Sequence, residues 1–291
     1  MITNTELVHA RALLLDRTVS FFAEQPDVLG IFLAGSLPAG SADAYSDIDL
    51  RIIATPEGQV RLAKGRLDWP AHWGDLLFNE WVSGTQHCVS HFRPFLKLDV
   101  FYWTPATFTP SPWLAMPAQV FLDRDGLVQD VLTQSQALMF SPPSAEEVSR
   151  VVSKALAGAH EVVRRARRGE LHFAQSLLND LRSHMAQLDG WMHDDEPSAP
   201  RDLKWAARLS PDLVTAFERS YVRLNATELD EAAVGLGRVL ARQIPELHRR
   251  FDLRRPLATD MAAVELVTGR QRSPSTDLQP PAACAMMCRR G

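Results

Sequence analysis

The sequence predicts an α+β protein in which a mixed-sheet unit is followed by a helical bundle. Three observations lead there. Short apolar runs bounded by Pro and Gly recur up to Trp103. The composition changes near Phe140-Ser141-Pro142-Pro143. Beyond that point apolar residues repeat at helical spacing almost to the end. The expected boundaries are 1–140 for the first unit, 141–268 for the bundle and 269–291 for a Ser-, Pro- and Ala-rich disordered tail.

Residues Thr5 to Glu24 are expected to be helical, with Leu7, Ala10, Leu14 and Phe21 near helical spacing and Pro26 at the exit. Val28 to Ala34 is a nearly continuous apolar run between Pro26 and Gly35, which reads as a buried strand. Leu37 to Tyr45 is a loop or a poorly propagating helical turn. Ile48 to Ala54 returns to strand character through Ile52 and Ile53. Pro56 to Lys64 is a short helix. Leu76 to Val82, His87 to Phe92 and Phe95 to Trp103 supply further strands, and Thr104 to Pro117 is irregular.

In the second unit Ser144 and Glu147 form a capping box, which satisfies orphan N–H groups at a helix start. Val148, Val151, Val152, Ala155, Ala159, Val162 and Ala166 then make one apolar stripe, with Gly169 as its C-terminal cap. A second stripe through Ala174, Leu177, Leu178, Leu181, Met185 and Leu188 closes at Gly190. Further helix is expected over Pro211 to Arg223 and Thr227 to Arg250, with Pro245 kinking or ending the last.

The chain has 291 residues, 46% hydrophobic and 23% charged, with a formal net charge of −4. That balance argues against wrapping a long nucleic acid, which needs a basic surface. It leaves room for a small basic patch that binds one nucleotide. The three cysteines, Cys88, Cys284 and Cys288, are too sparse for a disulfide framework. Met1 to Arg17 has no signal-peptide core, and no apolar run is long enough to span a bilayer. A cytoplasmic location and no membrane partner are expected. Nothing in the sequence specifies an oligomeric state.

The chemistry concentrates in a few acids. Side chains two apart on a strand share a face, so Asp47 and Asp49 aim at one space while Ile48 packs behind. Two carboxylates held together repel, and a hard cation such as Mg²⁺ relieves that repulsion. Asp99 is embedded in an apolar strand, where an unpartnered acid is costly. If the two strands are neighbours, all three acids meet. Such a set suits transfer of a nucleoside monophosphate. A hydroxyl attacks the α-phosphorus, pyrophosphate leaves, and two ions about 3.5–4 Å apart stabilise both oxygens. One carboxylate can also accept the hydroxyl proton. Gly35 lets the backbone approach phosphate closely, and its neighbouring N–H groups and the Ser36 hydroxyl can bind the triphosphate.

Gly35-Ser36, ten intervening residues, Asp47-Ile48-Asp49 and a distant strand Asp99 together resemble the DNA polymerase beta-like nucleotidyltransferase superfamily. The resemblance covers roughly the first 105 residues. It implies that Asp47 and Asp49 hold metal and that Asp99 completes the site as metal ligand, base or both. Arg168-Gly169-Glu170-Leu171 and the long helix after it resemble the antibiotic-modifying branch. That implies ATP or another NTP as co-substrate, Mg²⁺ as cofactor, and a small-molecule hydroxyl acceptor such as a lincosamide or aminoglycoside. Several members of that branch carry Glu where this chain has the shorter Asp99. A protein-adenylylating enzyme and a non-catalytic nucleotide-binding module are the rival readings. Length argues against the first and the intact acids against the second.

Lys154, close to the apolar stripe, is a candidate triphosphate ligand, whereas Arg164, Arg165, Arg167 and Arg168 read as a solvated face. Arg51 is expected to point away from Asp49 or to the strand's edge. Asp43, Asp75, Glu80 and the run His193-Asp194-Asp195-Glu196 are acids that a polycationic acceptor would need or else plain surface charge; the His193 run reads as surface charge, and Glu80, in an apolar strand-like segment, is the better candidate for an acceptor site. Trp81 and Trp103 can stack on a base or line an acceptor pocket, with core packing the favoured role for either. His87 and His91 lack zinc-ligand spacing, and Cys284 and Cys288 read as incidental thiols.

Overall fold

The protein is described from a computed structural model that covers residues 2–81, 84–193 and 208–269. It divides between Met139 and Phe140 into two compact units. The expected tail with Cys284 and Cys288, together with Val82 and the acids Asp194, Asp195 and Glu196, lies outside the described residues.

The first unit begins with α1 (Asn4–Ala23), whose start is capped by a reciprocal Thr3–Glu6 box. The strands follow as β1 (Val28–Ala34), β2 (Ile48–Ala54), β3 (Leu76–Glu80), β4 (His87–Phe92), β5 (Leu96–Trp103) and β6 (Gln119–Asp123), with α2 (Pro56–Lys64) after β2 and α3 (Leu127–Ser135) after β6. They form one sheet in the order β3-β4-β5-β2-β1-β6. The sheet is mixed. β2 and β5 run parallel, and the other neighbours are antiparallel.

Strand alternation sorts the side chains onto two faces. Ile48, Leu50 and Ile52 of β2 and Leu96, Leu98, Val100 and Tyr102 of β5 are buried in one cluster with Leu7, Leu14 and Phe22 of α1 and Leu62 of α2. The intervening residues Asp49, Arg51, Lys97, Asp99, Phe101 and Trp103 occupy the other face. Part of that face is closed by a smaller core of Phe32, Ile53, Phe108, Val128, Val131 and Leu132. β6 and α3 lie in a segment for which the sequence reading assigned no element. Yet Val128, Val131, Leu132 and Ser135, all buried, follow the helical period.

The second unit contains α4 (Ala145–Arg167), α5 (Leu171–Met192), α6 (Pro211–Arg219), α7 (Ala226–Phe251) and α8 (Leu257–Thr268). The Ser144–Glu147 box is present and the apolar stripe of α4 is buried. Two expected boundaries move. α5 runs past Gly190, because Leu188 and Asp189 are still buried there. α6 stops at Arg219, and the next residue, Ser220, turns inward to accept a hydrogen bond from the buried Arg182 at 2.7 Å. α7 continues through Pro245. An interior proline costs a helix about 3 kcal/mol, and the buried Ile244 and Leu247 on either side hold this one in place. Asp189 is also buried and accepts from Ser210 N and Oγ and from Gln243 Nε2, fastening α5 to the start of α6 and to α7. No described helix is long and apolar enough to cross a membrane.

Candidate active site

The parallel pairing of β2 with β5 sets the site. Its register places Ile48 opposite Leu98 and Asp49 opposite Asp99. Two acids distant in sequence are thereby held side by side at the spacing of adjacent strands, about 4.8 Å. Asp47 sits just before β2, on a loop tied down from α1. The buried Arg11 guanidinium donates to the backbone oxygens of Asp43 and Ser46 at 2.6 and 2.9 Å. Within that loop the Asp43 carboxylate accepts from Tyr45 N and Ser46 Oγ, at 2.9 and 3.0 Å. These bonds hold its pKa below the usual carboxylate range. Asp43 therefore shapes the loop that presents Asp47.

Gly35 ends β1 beside Asp49, since Ala34 and Asp49 are register partners. Its φ is +78°, in the left-handed region, and a Cβ there would overlap the Asp49 carboxylate. Ser36 follows, and its backbone oxygen accepts from Ser41 N at 3.1 Å, closing the turn. Gly35→Ala is therefore expected to misplace Asp49 more than it harms the fold. Left-handed strain costs about 1–2 kcal/mol, so the denaturation midpoint should fall modestly. Turnover should fall by at least about tenfold to a hundredfold, because small misplacements near reacting atoms are amplified. Equal losses of activity and folded fraction, measured on the same sample, would contradict this.

Two cations that the sequence reading gave no part in the site complete the cluster. Lys97, two residues before Asp99 on β5, donates to Asp47 Oδ2 and Asp99 Oδ2, both at 3.0 Å. Burial alone would lower its pKa, but the two carboxylates more than offset this and raise it. Arg51 was expected to face away from Asp49. It instead shares Asp49's face, because residues two apart on a strand point the same way. Its Nη2 is 3.7 Å from Asp49 Oδ1, and its guanidinium lies 3.9 Å above the Phe101 ring. Burial lowers the Arg51 pKa, opposed by Asp49 and Asp99. Burial also raises the Asp49 pKa, opposed by Arg51 and reinforced by Asp47 and Asp99.

Three carboxylates thus face two cations, Lys97 and Arg51, for a formal excess of one negative charge. Among the described residues no group of three or more His, Cys, Asp or Glu side chains forms a ready-made metal site. The Lys97 ammonium stands between Asp47 and Asp99 where the sequence reading expected an ion. The donor set still suits a hard cation. All three acids offer oxygen, and Asp99 Oδ1 is buried with no hydrogen-bond partner.

Next to Asp49 the face opens into a cavity of about 590 Å³ bordered by Gly35, Arg51, Phe101, Trp103, Phe108 and Trp113. Trp103 packs against the smaller core, as expected, and also lines this cavity, whereas Trp81 is exposed under the Arg66 guanidinium at 5.1 Å. Glu80 is on the edge strand β3, paired with His91 at 3.0 Å. His87 stacks on Phe101 with ring centroids 4.1 Å apart. Arg164, Arg165, Arg167 and Arg168 pair with Glu161, Glu170 and Asp230. Lys154 belongs to the second unit, exposed on α4 along a groove that also takes in Glu161, Asp180 and His184. The structure therefore gathers Gly35, Ser36, Asp47, Asp49 and Asp99 within the first unit.

Among solved structures, the chain is similar to an aminoglycoside 6-adenyltransferase from Bacillus subtilis at 12% identity and a TM-score of 0.44, over 94% of this chain and 100% of that one. It is also similar to a nucleotidyltransferase-like protein from Exiguobacterium sibiricum at 15% identity and a TM-score of 0.40, covering 90% and 91%. A CD-NTase from Bradyrhizobium diazoefficiens, solved with GTP, aligns at 13% identity with a TM-score of 0.26, covering 90% and 85%. No family model matches the sequence, and no curated protein matches it.

Proposed function

We propose that the protein is a Mg²⁺-dependent nucleotidyltransferase that moves a nucleoside monophosphate, most simply AMP from ATP, to a hydroxyl of a small molecule. The observation that carries this reading is the pairing of Asp49 with Asp99 across parallel strands, with Asp47 and the Gly35 turn beside them.

Asp47 and Asp49 hold the ion, with Asp99 next to them. Bound Mg²⁺ supplies charge neutralisation for the triphosphate and for departing pyrophosphate. The Gly35-Ser36 turn cradles phosphate oxygens through its N–H groups and the Ser36 hydroxyl. The acceptor oxygen forms a bond to the α-phosphorus as the bond from that phosphorus to the bridging oxygen of pyrophosphate breaks. The acceptor proton passes to the Asp99 carboxylate, whose Oδ1 has no other partner. Lys97 donates to Asp47 Oδ2 at 3.0 Å, so it would have to release that oxygen for Asp47 to hold the ion.

The test is a screen of the purified protein with Mg²⁺, each nucleoside triphosphate and a panel of small hydroxyl compounds, with aminoglycosides and lincosamides included. Pyrophosphate release with a matching mass increase on one acceptor is the expected result. No release with any combination, from protein shown to be folded, would overturn the reading.

A further inference from the structure

The second unit carries a groove of its own, between α6 and α7. It holds about 440 Å³ and is bordered by Arg219, Arg238 and Arg242, with Asp212 and Glu231 as its acids, a formal excess of one positive charge. Arg238 and Arg242 are one turn apart on α7, so they share a face. Arg242 is tied to Asp212 at 3.1 Å, but the two side chains are 59% and 75% exposed. An ion pair in water holds weakly, so a better anion can divide it. Ser220 also lines the groove, and behind it stands the fully buried Arg182, which donates to Ser220 Oγ at 2.7 Å. Its remaining partners are the Ser220 backbone oxygen, Asn179 Oδ1 and the face of the Tyr221 ring. All are neutral. Burial pushes the Arg182 pKa down, yet a guanidinium stays charged. Among the described residues, then, this buried cation has no carboxylate to balance it.

Gly235 borders the same groove from within α7. Glycine weakens a helix interior, and packing does not require this one, because a Cβ at Gly235 would meet no atom within 4 Å. At Gly237, by contrast, a Cβ would come within 3.0 Å of Thr268. The side chain missing at Gly235 leaves the groove open beside its arginines. Guanidinium forks match the oxygens of a phosphoryl group bidentately, whereas a cationic ligand would add to the excess positive charge. We propose that this groove binds a small phosphate-bearing molecule, a phosphate ester or a polyphosphate, on Arg219, Arg238 and Arg242. The site lies wholly within the second unit and is independent of the nucleotidyl-transfer reading.

The test is calorimetric binding of tripolyphosphate and of glycerol 3-phosphate to the full chain, with EDTA present and no divalent ion. Gly235→Leu fills the groove and keeps every charge; it should melt at or above the wild type. The double variant Arg219→Ala/Arg238→Ala removes two groove cations. Arg164→Ala/Arg249→Ala makes the same change in net charge at exposed arginines outside the groove, and Ser36→Ala alters the turn in the first unit. Affinity for at least one probe should fall at least about tenfold in Gly235→Leu and in Arg219→Ala/Arg238→Ala, as expected when charge-assisted hydrogen bonds are lost. It should be unchanged in the other two variants. The probe that responds tells polyphosphate from phosphate ester. Absence of saturable binding, unchanged binding in Gly235→Leu, or an equal loss in both arginine pairs would overturn the proposal. So would a loss confined to Ser36→Ala, which would put the phosphate on the first unit.

Discussion

Asp49→Asn should abolish Mg²⁺-dependent transfer and, in the metal-free protein, raise the melting temperature at neutral pH. The activity loss follows from removing a charged oxygen ligand. Metal stabilisation of a transferring phosphoryl group is worth several kcal/mol, or roughly 10³-fold in rate. The stability gain follows from the site's own electrostatics. Burial, Asp47 and Asp99 raise the Asp49 pKa, and Arg51 offsets only part of that. The folded chain therefore holds this proton more tightly than the unfolded chain. Stability from this group is fully present below the unfolded value of about 3.9 and is lost as pH rises through the raised folded value. Asparagine removes that loss, so the two proteins should converge in melting temperature on acidification. Saturating Mg²⁺ should then stabilise the wild type more than the variant, since binding to the folded state alone adds stability. A variant that melts lower at neutral pH without metal would show that the Asp49 charge does not destabilise the fold, and one that transfers at the wild-type rate would show that Asp49 is not a ligand.

Asp99→Asn should lower turnover by about 10²–10⁴-fold, the usual contribution of a positioned general base. The substitution keeps the shape of a side chain that is only 13% exposed and retains one hydrogen-bond acceptor for Lys97. Folding should therefore be preserved, as judged by an unchanged unfolding midpoint. Lys97 would then be held by Asp47 with less competition. Mn²⁺ binding, followed by its paramagnetic resonance signal, should weaken less than it does in Asp49→Asn. A wild-type turnover rate would remove Asp99 from the reaction altogether.

Much of this site was legible before any coordinates. The apolar run Val28–Ala34 and the Ile48–Ala54 strand are found as read, because both are bounded by residues that stop a strand. Asp47, Asp49 and Asp99 were singled out because acids in apolar strands need a reason. Their adjacency was not legible. It depends on β2 and β5 being parallel neighbours although β3 and β4 intervene in sequence, a choice made by tertiary packing. Arg51 and Lys97 were misjudged or passed over, yet the period-two rule that linked Asp47 to Asp49 also links Asp49 to Arg51 and Asp99 to Lys97. Of the cavity, the sequence offers Trp103 alone as a pocket-lining candidate, since Phe32, Phe101, Trp103, Phe108 and Trp113 come from three separate stretches of chain.

The Asp49–Asp99 register has a practical consequence for redesign. The separation of these carboxylates is fixed by a ladder of backbone hydrogen bonds between two strands, with Leu50 and Val100, buried neighbours in that ladder, beneath them. The segment 104–118, which supplies much of the cavity wall, is not a rung of that ladder. Exchanging that segment is therefore expected to reshape the cavity while the Asp49–Asp99 register stays constant. Strand ladder and cavity wall are separable parts of one small unit, and a library randomised at Thr107, Thr109, Trp113 and Met116 would vary the second without touching the first.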